Sequence, residues 1–341
     1  MTEELGLATL SICIPTFNRE KCLGELLDSI VAQRVPEIEV IVSDDASSDH
    51  TADVVATYAA KLANLKYVRQ ETNIGLDLNF LVVVEHATSD YVWFMGDDDR
   101  LEKGAVQNVL AALAAWPGIV GMTIGVIDYD HEFRAPTGVR HMPPTARVSG
   151  TEAVFSEIVD LLGFMSALVI NRHMWKVVRR EDPISAYQNL YLQVYILGRA
   201  LDRFGDWGIL NTPCVGFRSS NDQFLSKFGW LKRMQMDVLA YEQIASGLFP
   251  RNERARRAMR QRIFVTHVIA RLRNAKTAHG PTPQIWEAIK FLYSHYRTVL
   301  AFWTYGLPTL LMPKRLLRRA RALYQRYSSS SGARRAKRLS I

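Results

Sequence analysis

Short apolar runs alternate with amphipathic stretches along the first half of the chain. Residues 10–14 form one run, which Pro15 interrupts, and Leu23, Leu26, Leu27, Ile30 and Val31 then recur at helical spacing. The same reading predicts strands over 39–42, 65–68, 91–95 and 119–126, with helices over 52–62, 78–86 and 105–116. This alternation predicts an α/β fold built on a doubly wound, mostly parallel sheet. Residues 128–148, rich in Pro, Gly, His and Arg, read as a loop or irregular hairpin. A helix over 151–162, a strand over 167–170, a helix over 186–204 and short strands over 207–210 and 214–217 follow. Past Ser220 the pattern is helical, with segments over 222–247, 252–278 and 284–302. The expected organisation is an α/β domain over 1–220, a helical region over 221–303, a basic amphipathic helix over 304–327 and a disordered tail over 328–341.

In doubly wound sheets ligands gather at the carboxyl ends of the strands. Three polar clusters fall there: Pro15-Thr16-Phe17-Asn18-Arg19, Ser43-Asp44-Asp45-Ala46-Ser47-Ser48-Asp49, and Gly96-Asp97-Asp98-Asp99. In the first, Pro15 cannot continue a ladder, so the chain turns and Thr16 becomes available to a flat heterocycle. In the second, Ser48 or Asp49 serves as a helix cap, which leaves the Asp44-Asp45 pair unexplained. A carboxylate there can accept from a base N–H or a ribose hydroxyl. In the third, three consecutive carboxylates repel one another and cannot be buried unpaired. A hard divalent cation held against a phosphate accounts for such a triplet.

In this order and spacing the clusters resemble the family 2 glycosyltransferases of GT-A fold. The resemblance rests on Ser11-Ile12-Cys13-Ile14-Pro15-Thr16-Phe17-Asn18-Arg19, Val40-Ile41-Val42-Ser43-Asp44-Asp45, Asn73-Ile74-Gly75 and Asp90-Tyr91-Val92-Trp93-Phe94-Met95-Gly96-Asp97-Asp98-Asp99. It is strong over 8–125 and loose over 126–220. It implies that Thr16 and Asp45 contact the nucleotide base, with Pro15, Asn18, Arg19 and Asp44 beside them. Asn73 and Gly75 would border the pocket. Asp98, the central carboxylate, would ligate Mg²⁺ or Mn²⁺, helped by Asp97 or Asp99. The implied reaction moves a sugar from a nucleoside-diphosphate sugar to a hydroxyl of a saccharide or lipid-linked saccharide, with inversion. The Gly-Asp-Asp-Asp form is similar to an abequosyltransferase-like branch acting in bacterial surface polysaccharide synthesis. Met165, Ser166 and the loop after Ile127 border the acceptor by position.

The chain departs from the family where a Glu-Asp pair supplies the base that deprotonates the acceptor. That slot falls at Gln188-Asn189, and amides cannot act as a base. A Glu181-Asp182 pair lies about seven residues earlier, so Asp182 and Glu181 are the base candidates, with an Asp of the triplet as a further one. Two rival readings remain: a nucleotide-sugar binding or scaffold protein without a base, and a nucleotidyltransferase. The second is disfavoured because the first cluster has no phosphate-binding glycine.

Composition narrows the setting. A chain of 341 residues with 48% hydrophobic and 22% charged content is an ordinary globular protein. Cys13, Cys22 and Cys214 lack metal-ligand spacing and read as free thiols in a reducing cytoplasm. Residues 1–8 carry two glutamates and no apolar core, so no secretory signal is expected there. The net charge of +8 is uneven: residues 314–341 hold ten Lys/Arg and no acid, leaving 32 basic and 34 acidic residues elsewhere. Together with Trp303, Tyr305 and leucines at near-helical spacing, this predicts that 305–327 lies on an anionic membrane surface. A nucleic-acid partner is not expected, because the tail lacks interleaved aromatics. The expected location is cytoplasmic, peripheral on the inner face of the cytoplasmic membrane.

Overall fold

The computed structural model describes residues 8–279 and 283–319. Its strands are β1 (Leu10–Thr16), β2 (Glu39–Asp44), β3 (Leu65–Arg69), β4 (Tyr91–Phe94), β5 (Arg100–Leu101), β6 (Gly121–Tyr129), β7 (Pro136–Val139), β8 (Ala146–Ser149), β9 (Leu168–Asn171) and β10 (Asp206–Arg218). The α-helices are α1 (Glu20–Val31), α2 (Thr51–Ala56), α3 (Leu76–His86), α4 (Ala105–Ala115), α5 (Thr151–Leu162), α6 (Arg172–Glu181), α7 (Leu192–Phe204), α8 (Gln223–Leu248), α9 (Glu253–Ile263), α10 (Ile269–His279), α11 (Pro283–Tyr296) and α12 (Leu307–Leu311). One 10-stranded sheet runs in the order β3-β2-β1-β4-β9-β6-β10-β5, with β7 on β6 and β8 on β10. Strands β1 to β4 pair in parallel, as do β6 and β10. Strand β9 is antiparallel to both β4 and β6, so β6 and β10 run in the same direction as β1–β4. The expected doubly wound α/β sheet is present, mostly parallel by strand direction and followed by a helical region.

The strands read as continuous apolar runs because both sheet faces are covered. Val92 and Phe94 join the core under α3, α5 and α7, while Tyr91, Trp93 and Met95 join the core under α1 and α4. Helix α1 buries Leu23, Leu26, Leu27 and Ile30 on the second face, each worth about 1.5–3 kcal/mol of removal from water.

Four local outcomes differ from the pattern. Strand β1 does not stop at Pro15; it pairs with β2 through Thr16. Cys13 O faces β4 and accepts from Met95 N–H at 2.9 Å. Two residues on, Pro15 nitrogen faces the same side, where the ladder has ended, so its missing donor costs nothing. The two short strands expected over 207–217 are one strand, β10, with register shifts around Pro213 where a bulge absorbs the proline. Helix α6 lies where no helix was expected; Asn171 caps it by accepting from Met174 N–H at 3.1 Å. The helix expected from 186 starts at Leu192. Leu190 has φ 75°, which no right-handed helix tolerates, and its N–H goes to Asp77 at 2.9 Å.

Beyond β10, helix α8 kinks at Gly229, whose φ of 76° suits glycine. Its later part packs with α9 on α5 and α7. Leu231, Phe264, Leu292, Phe302 and Leu310 form a separate helical core. Leu310 and Leu317 point inward, whereas Leu311 and Leu316 are exposed. The rest of the basic amphipathic segment, from residue 320, lies outside the described residues.

Candidate active site

The β1–α1 and β2–α2 turns interlock through short polar side chains. Asn18, at φ 54°, gives its N–H to Ser47 Oγ (2.8 Å) and accepts from Ser48 N–H (2.8 Å). Arg19 N–H donates to Thr51 Oγ1 at 3.1 Å. Asp49 accepts from Glu20 N–H (3.1 Å) and Thr51 N–H (3.0 Å), so one carboxylate satisfies donors at the starts of α1 and α2. Asp45 N–H donates to Thr16 O at 2.9 Å, joining the two strand ends.

The paired aspartates of the second cluster divide their work. Asp44 is buried; it accepts from Ser47 N–H (2.9 Å) and the Tyr67 hydroxyl (2.5 Å), holding its own turn closed. Asp45 lines a cleft of about 900 Å³. Its two carboxylate oxygens accept from Ile74 N–H (2.7 Å) and Gly75 N–H (2.9 Å), and Asn73 Nδ2 donates to its carbonyl at 3.2 Å. Gly75 takes φ 87°, a region where side chains are strained, to present that N–H. Each oxygen of Asp45 keeps a further lone pair for a ligand.

The third cluster faces the first two across the cleft. Pro15, Thr16, Asn18, Arg19, Asp45, Asn73, Gly75, Asp97, Asp98 and Asp99 all line it. Arg19 Nε lies 3.1 Å from Asp97 and its Nη2 3.5 Å from Asp98. Asn221 Nδ2 donates to Asp98 Oδ2 at 2.6 Å. Asp99 accepts from Ser166 Oγ–H (2.5 Å) and Arg218 N–H (3.1 Å), and Ser166 Oγ accepts from Gly96 N–H at 2.9 Å. A Cβ on Gly96 would come within 3.1 Å of both Asp99 Oδ2 and Ser166 Oγ, so the turn needs glycine to bring the carboxylates together. Ser166, expected at the acceptor, instead braces the triplet from beneath.

Burial raises the Asp97 carboxyl, Arg19 holds it back and Asp98 pushes it further, to about 7. Burial and the neighbouring Asp98 raise Asp99 to about 8. The folded protein therefore holds more protons than the unfolded chain above the ordinary carboxylate range. The stability these groups contribute is complete below about pH 4 and is lost as pH rises towards 7–8. Thermal melts of the metal-free protein are expected to fall across that window, and Asp99→Asn should flatten the fall; a profile unchanged by the substitution contradicts this account.

The donor set suits a hard cation only in part. Among the described residues no three His, Cys, Asp or Glu side chains gather round one point. The triplet and Asn221 offer hard oxygens, but Asp98 Oδ2 is engaged by Asn221 and Arg19. That arrangement fits Mg²⁺ or Mn²⁺ bound through one or two carboxylates, with phosphate and water supplying the remaining ligands. Thr16 Oγ1 is buried beside the Asp97 carboxyl, whose charge it helps to hold, and Thr16 lines the cleft.

The residues assigned to acceptor activation stand apart from the cleft lining. Asp182 pairs with Arg199 (2.9 Å) and Arg203 (2.7 Å), and Glu181 pairs with Arg203 at 2.7 Å. Gln188 is exposed, and Asn189 donates to Gln243 Oε1 at 2.9 Å. Asp182→Asn is expected to change kcat/KM less than about threefold while lowering unfolding stability by about 2 kcal/mol, because it removes the buried carboxylate charge that Arg199 and Arg203 share. A large loss of kcat at unchanged stability would restore Asp182 as the base.

Of one further wall of the cleft, only Met165 was expected from the sequence, by position. Gly163, Phe164, Met165 and Phe217 line it beside the triplet, and Ser220 to Lys227 supply Asn221, Asp222, Gln223, Phe224, Ser226 and Lys227. Arg218 is the main brace: its Nε donates to Asp98 O (2.9 Å) and its Nη1 to His131 O (2.6 Å), and it pairs with Glu25. None of these sits in a local motif; for Ser220 to Lys227 the one available signal was their position just after the end of β10.

An α/β sheet that gathers Thr16, Asp45 and the Asp97-Asp98-Asp99 triplet at the ends of β1, β2 and β4 suits a nucleotide-dependent transferase. Residues 11–168, a little under half of the chain, match the family model for glycosyl transferase family 2, and this part of the chain is a glycosyltransferase domain of that family. The chain is 28% identical to abequosyltransferase RfbV of Salmonella typhimurium over 266 residues, 73% of this chain and 78% of that protein. It is 36% identical to the GalNAc(5)-diNAcBac-PP-undecaprenol beta-1,3-glucosyltransferase of Campylobacter jejuni over 102 residues, 30% of this chain and 33% of that protein. Among solved structures, Staphylococcus aureus TarS 1-349 in complex with UDP-GlcNAc is similar at a TM-score of 0.58 and 20% identity, covering 92% of this chain and 87% of that one. Mannosyltransferase PcManGT of Pyrobaculum calidifontis, in complex with GDP-Man and Mn²⁺, is similar at a TM-score of 0.52 and 18% identity, covering 89% and 85%. These likenesses show the GT-A fold.

Proposed function

We propose that the protein transfers a sugar from a nucleoside-diphosphate sugar to a hydroxyl of a saccharide, in lipid-linked form, during bacterial surface polysaccharide synthesis. The observation that carries this reading is the convergence of Thr16, Asp45 and the Asp97-Asp98-Asp99 triplet on one cleft. Thr16 and Asp45 border the base, Asp45 through its remaining lone pairs. Asn73 and Gly75 close the pocket edge because Asp45 ties them down. Asp98, with Asp99 or Asp97, would hold Mg²⁺ or Mn²⁺. When bound, the cation supplies positive charge against the departing diphosphate. Arg19 offers a second positive charge to the same diphosphate. Direct displacement with inversion is what the family resemblance implies for the transfer. The acceptor enters along Phe164, Met165 and Phe217. Its base is to be sought among the cleft carboxylates, since Glu181 and Asp182 are engaged elsewhere.

We place the enzyme on the inner face of the cytoplasmic membrane. The basic segment from Lys314 onward supports this, as does the undecaprenol-linked acceptor named for one relative. Among the described residues no helix is long and apolar enough to cross a membrane. Turnover of a panel of UDP-, dTDP-, CDP- and GDP-sugars with lipid-linked saccharide acceptors tests the proposal. Transfer from one donor class supports it; tight nucleotide-sugar binding without transfer to any acceptor favours the scaffold reading that the Gln188-Asn189 amides motivate.

A further inference from the structure

A peripheral enzyme needs a face for the lipid, and the first turns of the basic tail do not provide a complete one. Leu310 is turned into the helical core and Leu317 is buried. A second surface is better formed. On α11, Trp286, Lys290 and Tyr293 follow one another at spacings of four and three residues, and Arg297 comes four later, so they form one stripe. The opposite side, Ala288, Leu292 and Tyr296, is buried. The chain then turns, and the next helical segment extends the stripe. The Tyr293 and Trp303 rings lie 6.2 Å apart, and Trp303 Nε1 donates to Arg297 O at 2.8 Å. Trp286 is 66% exposed, Leu300 71% and Trp303 47%.

Contiguous aromatic surface of this kind marks an interaction site on a soluble protein. Charge selects its partner. Residues 283–341 hold twelve Lys/Arg against one acid, Glu287. A second copy of the chain would set like charge against like. Trp and Tyr interleaved with Lys and Arg suit the headgroup level of a bilayer, where amphipathic rings settle and cations meet lipid phosphates.

We propose that Trp286, Lys290, Tyr293, Arg297, Leu300 and Trp303 form the face by which the protein lies on an anionic lipid bilayer. This inference rests on the membrane-peripheral reading and locates its contact. With the stripe flat on the bilayer, the aromatic rings reach the headgroup boundary while Lys290 and Arg297 pair with phosphates.

Flotation of the full chain with phosphatidylglycerol/phosphatidylcholine vesicles tests it. The double variant Lys290→Glu, Arg297→Glu is expected to bind at least about thirtyfold more weakly, since each lost cation removes about fivefold and each reversal adds repulsion. The double variant Trp286→Ser, Trp303→Ser is expected to lose both flotation and the blue shift of tryptophan emission on vesicle addition. Nucleotide binding should match the wild type, because none of these residues lines the cleft, and cooperative thermal melts should show both variants folded. If both variants float like the wild type while serine replacement of Arg321, Arg326, Arg334, Arg335, Lys337 and Arg338 abolishes flotation, the stripe is overturned and the membrane reading stands. If the wild type does not float, both fall. If the stripe variants instead dissolve a dimer seen by sedimentation, or lose binding to an RNA probe that outcompetes vesicles, the lipid assignment is overturned.

Discussion

Asp98→Asn is expected to lower turnover by about 100- to 1,000-fold, the usual loss when a group that stabilises developing charge is removed. The same substitution should leave the metal-free protein as stable as before, or slightly more stable. Asp98 pushes up the carboxyls of both Asp97 and Asp99, so deleting its charge relieves repulsion in a buried cluster. The asparagine keeps the shape and can still meet Asn221, so the fold has little reason to change. Loss of activity without loss of stability is the signature of a site that tolerates electrostatic strain for function. Steady-state transfer assays paired with melts in EDTA measure both halves. An inactive and unfolded variant would instead make Asp98 a structural residue.

Arg218→Met is expected to be costly in the opposite sense, lowering unfolding stability by about 3–5 kcal/mol. The arginine is buried. Its removal leaves Asp98 O and His131 O without donors, unpairs Glu25 and empties the space against the Phe133 ring, 4.4 Å away. Arg218→Lys should recover only part of this, because one ammonium cannot span two carbonyls and a carboxylate with the geometry of a planar fork. Arg218 acts through Asp98 and is a positioning residue. At temperatures where the lysine variant stays folded, its kcat should fall more than the KM for donor rises. Equal stability of wild type and methionine variant by denaturant titration would contradict the bracing role.

The parts of the fold that the sequence announced are those with a local signature. Strands β1, β2 and β4 are buried on both faces and so read as apolar runs, and each is closely followed by polar residues or glycine. Helix α6 had no such signature: Trp175 and Val178 are its buried residues, against Arg172, Lys176, Arg179 and Arg180. Its existence depends on the Asn171 cap and on packing against α7. The start of α7 was misplaced because a residue 113 positions away, Asp77, takes the N–H of Leu190. That contact also removes Gln188 and Asn189 from the helix on which a base would be presented. The site divides in the same way. Thr16, Asp45 and the triplet were legible as clusters. Arg218 and Asn221, which hold the triplet from 120 and 123 residues away, were invisible until the sheet brought β10 beside it. Asp44 and Asp45 look alike in sequence, and only the directions of their side chains separate a turn lock from a cleft residue.

Titration calorimetry of UDP, dTDP, CDP and GDP against wild type and Asp98→Asn, with Mn²⁺ and with EDTA, tests the central claim most directly. One nucleoside diphosphate should bind the wild type at least about tenfold more tightly with Mn²⁺, a normal coupling between two ligands of one site. Asp98→Asn should bind it as the wild type does in EDTA and should not respond to Mn²⁺. Equal affinity in all four conditions would contradict a cation held between the aspartate triplet and the diphosphate.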